Sequence, residues 1–109
     1  MPKLHVVVPH SVPLDQVIIK ARHAIEKSVG DFQGNDLKVT EVNDTTTDFS
    51  FRSLGFSIKG RIEAKPAEIV ADIDLPLAAI AFKDMAENAV RSNIYKALKA
   101  EPEIEDEEE

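Results

Sequence analysis

Cysteine and tryptophan are absent from this 109-residue chain, tyrosine occurs once and glycine only four times. Without cysteine there are no disulfides, no thiolate-held zinc and no thiol nucleophile, a composition suited to a reducing cytoplasm. No apolar run approaches the roughly 20 residues that a membrane-spanning helix needs. The first residues, Met1-Pro2-Lys3-Leu4-His5, lack the basic-then-apolar build of a secretion signal. The four glycines fall in neither GxGxxG nor GxxxxGK[ST] spacing, so phosphate-cradling loops are missing too. The serines lie in no nucleophile-elbow context.

Positive charge is also in short supply. The formal net charge is −7, and residues 101–109 hold seven of the 20 acids and no base. Acids and bases therefore balance at 13 each in the rest of the chain. Such a block cannot bury enough apolar surface to offset its ordering entropy, which predicts a disordered, solubilising tail at 101–109. It would repel phosphate backbones, and the body has no cationic excess to compensate, which argues against nucleic-acid partners. The remaining length, residues 1–100, suits a single domain with a modest core.

What the body does contain is pattern. Leu4-His5-Val6-Val7-Val8 is β-branched, short and bounded by Pro9, and reads as a strand. Ser11-Val12-Pro13 then starts a helix over about 13–29, with Ser11 or Val12 at the cap and Gly30 as a left-handed stop. Its apolar arc is Leu14, Val17, Ile18, Ala21, Ile25, Ser28 and Val29, with Gln16, Lys20, His23 and Lys27 opposite. Strands follow at about 36–42, 47–54, 56–64 and 69–75, with turns at Asn43-Asp44-Thr45, Gly55 and Lys65-Pro66-Ala67-Glu68.

The last hairpin can be registered from the sequence. Pairing Ala64 with Ile69 sets Ile62 against Ala71, Gly60 against Ile73 and Ile58 against Leu75 on one face. On the other, Arg61 meets Asp72 and Lys59 meets Asp74, cross-strand pairs worth roughly 0.2–1 kcal/mol each. A one-residue slip would send these charges into the core. They read as a solvated sheet face, not a catalytic cluster. Pro76 ends the strand, and a helix over about 77–99 follows, long enough to cross four or five strands. The order is β-α-β-β-β-β-α. It predicts an α+β layer, an antiparallel sheet packed by an N-terminal helix and a long C-terminal helix, similar in plan to a reduced helix-grip fold.

Few residues carry chemistry. His5 and His10 fall on opposite sides of the first strand and His23 on the polar side of the first helix, so no shared metal site is expected. His10, at the strand–helix corner, reads as a turn residue bonded to backbone more than as a general base, and it stands with Phe49, Phe51, Phe56, Ile80, Phe82 and Ile94 among the candidate binding residues. No acid–base or nucleophile constellation is present, so neither an enzyme nor a cofactor is expected. What remains is apolar surface and cavity. Ile80 with Ile94 or Leu98 would make an outer strip along the second helix, joined by Ile19 of the first. Phe49, Phe51, Phe56 and Phe82 would either fill the core or line a cavity between sheet and helix.

Four stretches coincide with a known pattern: Val8-Pro9-His10-Ser11; Phe49-Ser50-Phe51; Leu54-Gly55-Phe56-Ser57-Ile58-Lys59-Gly60-Arg61-Ile62; and Ile73-Asp74-Leu75-Pro76. In this order the chain resembles, over about residues 3–99, the small polyhydroxyalkanoic acid system proteins of bacteria, also labelled granule-region proteins. The acidic tail lies outside that pattern. The resemblance implies a cytoplasmic, non-enzymatic protein associated with storage-polymer metabolism, and it supplies no catalytic residues. His10, Gly55, Gly60 and Pro76 match the pattern. Turn formation, close helix-to-sheet approach and strand termination explain the last three. The first expectation is an accessory protein binding a granule surface or granule protein through Ile80 and Ile94. The alternative is a small carrier holding an apolar, acyl-type ligand between sheet and C-terminal helix.

Overall fold

In the computed structural model, which describes residues 3–99, a five-stranded sheet carries two helices on one face. The tail expected to be disordered at 101–109 lies outside the described residues, as do residues 1, 2 and 100. The elements are β1 (Lys3–Pro9), α1 (Leu14–Asp31), β2 (Asn35–Glu41), β3 (Thr46–Ser53), β4 (Phe56–Ala64) and β5 (Glu68–Asp74). A 3-10 helix (Leu77–Phe82) then leads into α2 (Lys83–Lys99). The strands are ordered β1-β5-β4-β3-β2, and every neighbouring pair is antiparallel. The α+β architecture and the β-α-β-β-β-β-α order are those the patterning predicts.

Period-two alternation puts one apolar set under the helices. Leu4, Ile73 and Phe49 lie in one row, with Gly60 between Ile73 and Phe49. Val6, Ala71 and Ile62 form the next row, and Val8, Ile69 and Ala64 the one after. All of these except Gly60 are buried. Gly60 is where a side chain would force a shift: a Cβ there would stand 2.8 Å from Cε1 of Phe49, whose ring lies over the strand. The β3–β4 turn places Leu54 at φ 52° and Gly55 at φ 84°. Positive φ at both central residues is what a tight two-residue hairpin needs to match the sheet's twist.

The β4–β5 register is the expected one, running from Ala64–Ile69 to Lys59–Asp74. Arg61 stands opposite Asp72 and Lys59 opposite Asp74 as expected, but the ion pairs these groups close are with other strands. Arg61 donates from Nε and Nη2 to the two carboxylate oxygens of Asp48 on β3, at 2.6 and 3.0 Å. Asp72 instead meets His5 of β1 at 2.6 Å, and Asp74 meets Lys3 at 3.6 Å. Both β4 and β5 are interior strands, so each charge has a neighbour on either side. A carboxylate on β3 that Arg61 can grip with two donors wins over one on β5.

The helices differ from expectation at their ends. α1 begins at Leu14 with Pro13 in the cap position and no side-chain cap, and it runs through Gly30 to Asp31. The left-handed residue after it is Gln33, at φ 56°, not Gly30. Lys20, placed by periodicity on the wet side, is buried, and its Nζ donates to the Ala97 carbonyl at 3.3 Å. That carbonyl is near the end of α2, where the helix dipole favours a cation.

The expected 77–99 helix divides. Its first six residues form the 3-10 helix, none of them buried. The 17 residues of α2 span only about 25 Å at 1.5 Å per residue. α2 therefore packs on α1 and β1 and does not cross the whole sheet. The covering over β3 and β4 is left incomplete at one end, and this shapes the site.

Candidate functional site

At the end of the layer where α1 stops and the β3–β4 hairpin turns, the helices and the sheet enclose a cavity of about 290 Å3. Its inner wall is apolar: Leu4, Phe49, Phe51, Ile62 and Ile73 from the strands, with Ile25, Val90 and Ile94 from the helices. Phe49 and Phe51 are buried, with ring centroids 6.3 Å apart and planes 12° from parallel. Its mouth is formed by residues that are also exposed: Leu54, Phe56, Phe82 and Met85, with Asp31 and Gln33 on the α1 side. Phe56 is 36% exposed and Phe82 52%. The four phenylalanines singled out from the sequence thus meet at one cavity, two in its wall and two at its mouth.

Ile94 takes a different place from the outer strip expected with Ile80. It is 1% exposed and lies in the cavity wall, so it cannot belong to an outer strip. α2 is turned so that Val90, Asn93 and Ile94 face inward, and Leu98 packs half-buried against the core. Ile80 is 52% exposed and does not line the cavity. Exposed apolar residues gather instead at Leu77, Ile80, Phe82 and Met85, along the 3-10 helix and the first turn of α2. Ile19, also exposed, sits on α1 among none of these.

His10 is remote from the cavity and serves the opposite end. Its Nε2–H donates to the Lys65 carbonyl at 2.8 Å, and its Nδ1 accepts the Val12 N–H at 3.0 Å. Its own backbone N–H donates to the Ala67 carbonyl at 2.9 Å. One neutral imidazole therefore ties the β1–α1 corner to the β4–β5 turn, as expected of a corner residue bonded to backbone.

The polar part of the cavity wall was not legible beforehand. Asn93 is buried between the helices, and its Nδ2 donates to Ser28 Oγ at 2.9 Å and to Asp31 Oδ2 at 3.1 Å. The second Asp31 oxygen accepts from Lys27 at 3.2 Å. The Asn93 hydrogen bond, and then Lys27, hold the Asp31 carboxyl below its ordinary range. Ser28 and Asp31 line the cavity, whereas Lys27 and Asn93 do not. Ser53 Oγ donates to the Phe32 carbonyl at 2.7 Å and so fixes the α1–β2 turn beside the mouth. The one sequence signal was Ser28, a hydroxyl standing on an otherwise apolar arc.

Among the described residues no group of three or more His, Asp or Glu is arranged to hold a metal ion. No helix there is long and apolar enough to cross a membrane. A sheet gripped on one face by helices around an apolar cavity defines a small α+β protein. The chain belongs to the family described as "Putative polyhydroxyalkanoic acid system protein", whose model matches residues 4–98. Membership places it among proteins of the polyhydroxyalkanoate storage system. A search of curated protein sequences gives no match. Among solved structures, the crystal structure of TTHA0849 from Thermus thermophilus is similar, with 10% identity and a TM-score of 0.35. That likeness covers 89% of this chain and 94% of the other.

Proposed function

We propose that the chain is a non-enzymatic binding protein of the storage-polymer system, acting in the cytoplasm and holding an apolar acyl-type chain in its cavity. The observation that carries this reading is the cavity of about 290 Å3 walled by Phe49 and Phe51 and entered past Phe56 and Phe82. A 150 Å3 apolar cavity accommodates benzene, so this one suits a chain of about a dozen carbon atoms. Two wide aromatic gateposts left exposed at the mouth suit a ligand whose tail is buried and whose other end stays near solvent. No side chain at the cavity is paired with a base as a nucleophile would be, which favours binding over chemistry.

The test is binding of the neutral dye Nile red, read by its fluorescence, to the full chain and to Ala86→Trp. Ala86 lines the cavity from α2, and an indole there occupies the space a ligand would use. Binding by the wild type and its loss in Ala86→Trp, with circular dichroism unchanged, is the expected result. Equal dye binding by both proteins would remove the reading. Ala79→Leu, also in the lining, repeats the test from the 3-10 helix.

A second reading rests on a separate observation, the exposed cluster Leu77, Ile80, Phe82 and Met85. Exposed apolar residues this close together suit contact with a polymer granule or a granule-bound protein. Leu77 and Ile80 stand outside the cavity lining, so Leu77→Asp with Ile80→Asp separates the two readings. Co-sedimentation with granules should fall while dye binding persists. Unchanged sedimentation of the double variant would count against the surface role.

A further inference from the structure

We infer that the ligand's polar end is a hydroxyl group, held where Ser28 and Asp31 meet at the α1 side of the cavity mouth. This deepens the cavity reading above and rests on it. The two residues are brought together by one atom, since Asn93 Nδ2 donates to both Ser28 Oγ and Asp31 Oδ2. The Ser28 hydroxyl is used there as an acceptor, so its own proton is available for donation into the cavity. The Asp31 carboxylate accepts once on each oxygen, from Lys27 and Asn93, and about four lone-pair positions exist on such a group. An acceptor therefore remains beside a donor.

A hydroxyl donates and accepts from a single uncharged oxygen, and so it satisfies both partners together. An ester or ketone oxygen would take the Ser28 proton and leave Asp31 unengaged. A free carboxylate would take the Ser28 proton but set its charge against Asp31. Asp31 is the one charged residue of the cavity lining among the described residues, and no Lys, Arg or His joins it there. Lys27 and Lys96 lie near the carboxylate and help keep it ionised, but they stand outside the lining. The hydrocarbon chain ends in the apolar wall and the hydroxyl at the Asn93-braced pair, so of two chains of one length the hydroxyl-ended one binds more tightly than the carboxylate.

The test is displacement of Nile red from the full chain at pH 7 by decanol, methyl decanoate and decanoate, each below its aggregation limit. Decanol should displace at a concentration at least about 10-fold below decanoate, a gap of about 1.4 kcal/mol, with the ester between them. In Asp31→Asn, which keeps the size and an amide oxygen for Asn93, the gap should shrink to about threefold, mainly by stronger decanoate binding. Decanoate equal to decanol on the wild type would overturn the hydroxyl assignment while leaving the cavity reading in place. Dye that none of the three displaces would overturn the cavity reading itself. The wild-type comparison requires no variant to fold.

Discussion

The two ends of the layer are built on opposite terms. At the end where β1 meets α1, His10 satisfies three backbone contacts, and Val8, Ile69, Ala64 and Val17 pack with almost no exposure. At the other, the hairpin tip Leu54 is 72% exposed, the C-terminal helix begins as a 3-10 turn, and the core opens into a cavity. The same sheet runs through both. What differs is the helical cover: α2 is seated on α1 and β1, and the 3-10 helix leading into it leaves β3 and β4 incompletely covered. Stability is thus concentrated at one end and access at the other, the distribution expected of a domain whose binding region must open locally.

The contrast breaks most sharply at Ile69, fully buried at the closed end. Ile69→Ala should cost about 2–5 kcal/mol, the range for an isoleucine deletion in a core that cannot collapse. Phe82→Ala at the mouth removes more atoms but should cost under about 1 kcal/mol, because its ring is half in solvent already. Urea denaturation of both variants measures the difference, and equal losses would mean the two ends are packed alike. Gly60→Ala is intermediate. The added Cβ crowds the Phe49 ring, an overpacking that ordinarily costs about 1–3 kcal/mol. Here the ring borders free volume, so the loss should be near 1 kcal/mol and should come with weaker Nile red binding. A loss of about 3 kcal/mol with binding intact would show that Phe49 cannot yield into the cavity.

How far the sequence foretells this follows the same division. The sheet was readable because period two leaves little choice: moving Ile62 and Ala64 to the core forces Arg61 and Glu63 out. Phe49, Phe51, Phe56 and Phe82 could be named for a cavity, yet nothing in the pattern could distinguish a filled core from a hollow one. That depends on the angle of α2. Period 3.6 was misleading at Lys20 for one reason. Each helix packs against another helix as well as the sheet, so its buried face is wider than, and turned from, the apolar arc. Asn93 carries no local signal of its role, because its partners, Ser28 and Asp31, lie more than 60 positions away.

The corner itself is smaller in effect than Ile69. His10→Ala removes the donor to the Lys65 carbonyl and the acceptor of the Val12 N–H, which should cost about 1–2 kcal/mol. Because the cavity lies at the other end, dye affinity should stay within about twofold of wild type. Thermal melting and dye titration on one preparation test both statements. A His10→Ala protein that melts normally but loses the dye would mean the ends are coupled and the division is false.

The smallest effect lies in acid, where both ends contribute a carboxylate. Asp48 is held below its ordinary range by hydrogen bonds from Arg61, and Asp31 by Asn93 and then Lys27. A carboxyl depressed in the folded state binds its proton more readily when unfolded. Its contribution is therefore present above the ordinary carboxylate range and lost as pH falls through the lower folded-state value. Melting temperature should accordingly drop below about pH 4, and Asp48→Asn and Asp31→Asn should each make the drop shallower. Both groups are at the surface, where screening keeps such contributions small, so about 0.5 M salt should also flatten the Asp48 part. The two variants part company in binding: Asp48 lies on the wet face and its variant should bind decanoate as the wild type does. Asp31→Asn should change the acid slope and the choice of ligand together. A variant that altered the slope alone would leave Asp31 as an α1–α2 brace, with no part in selecting what enters.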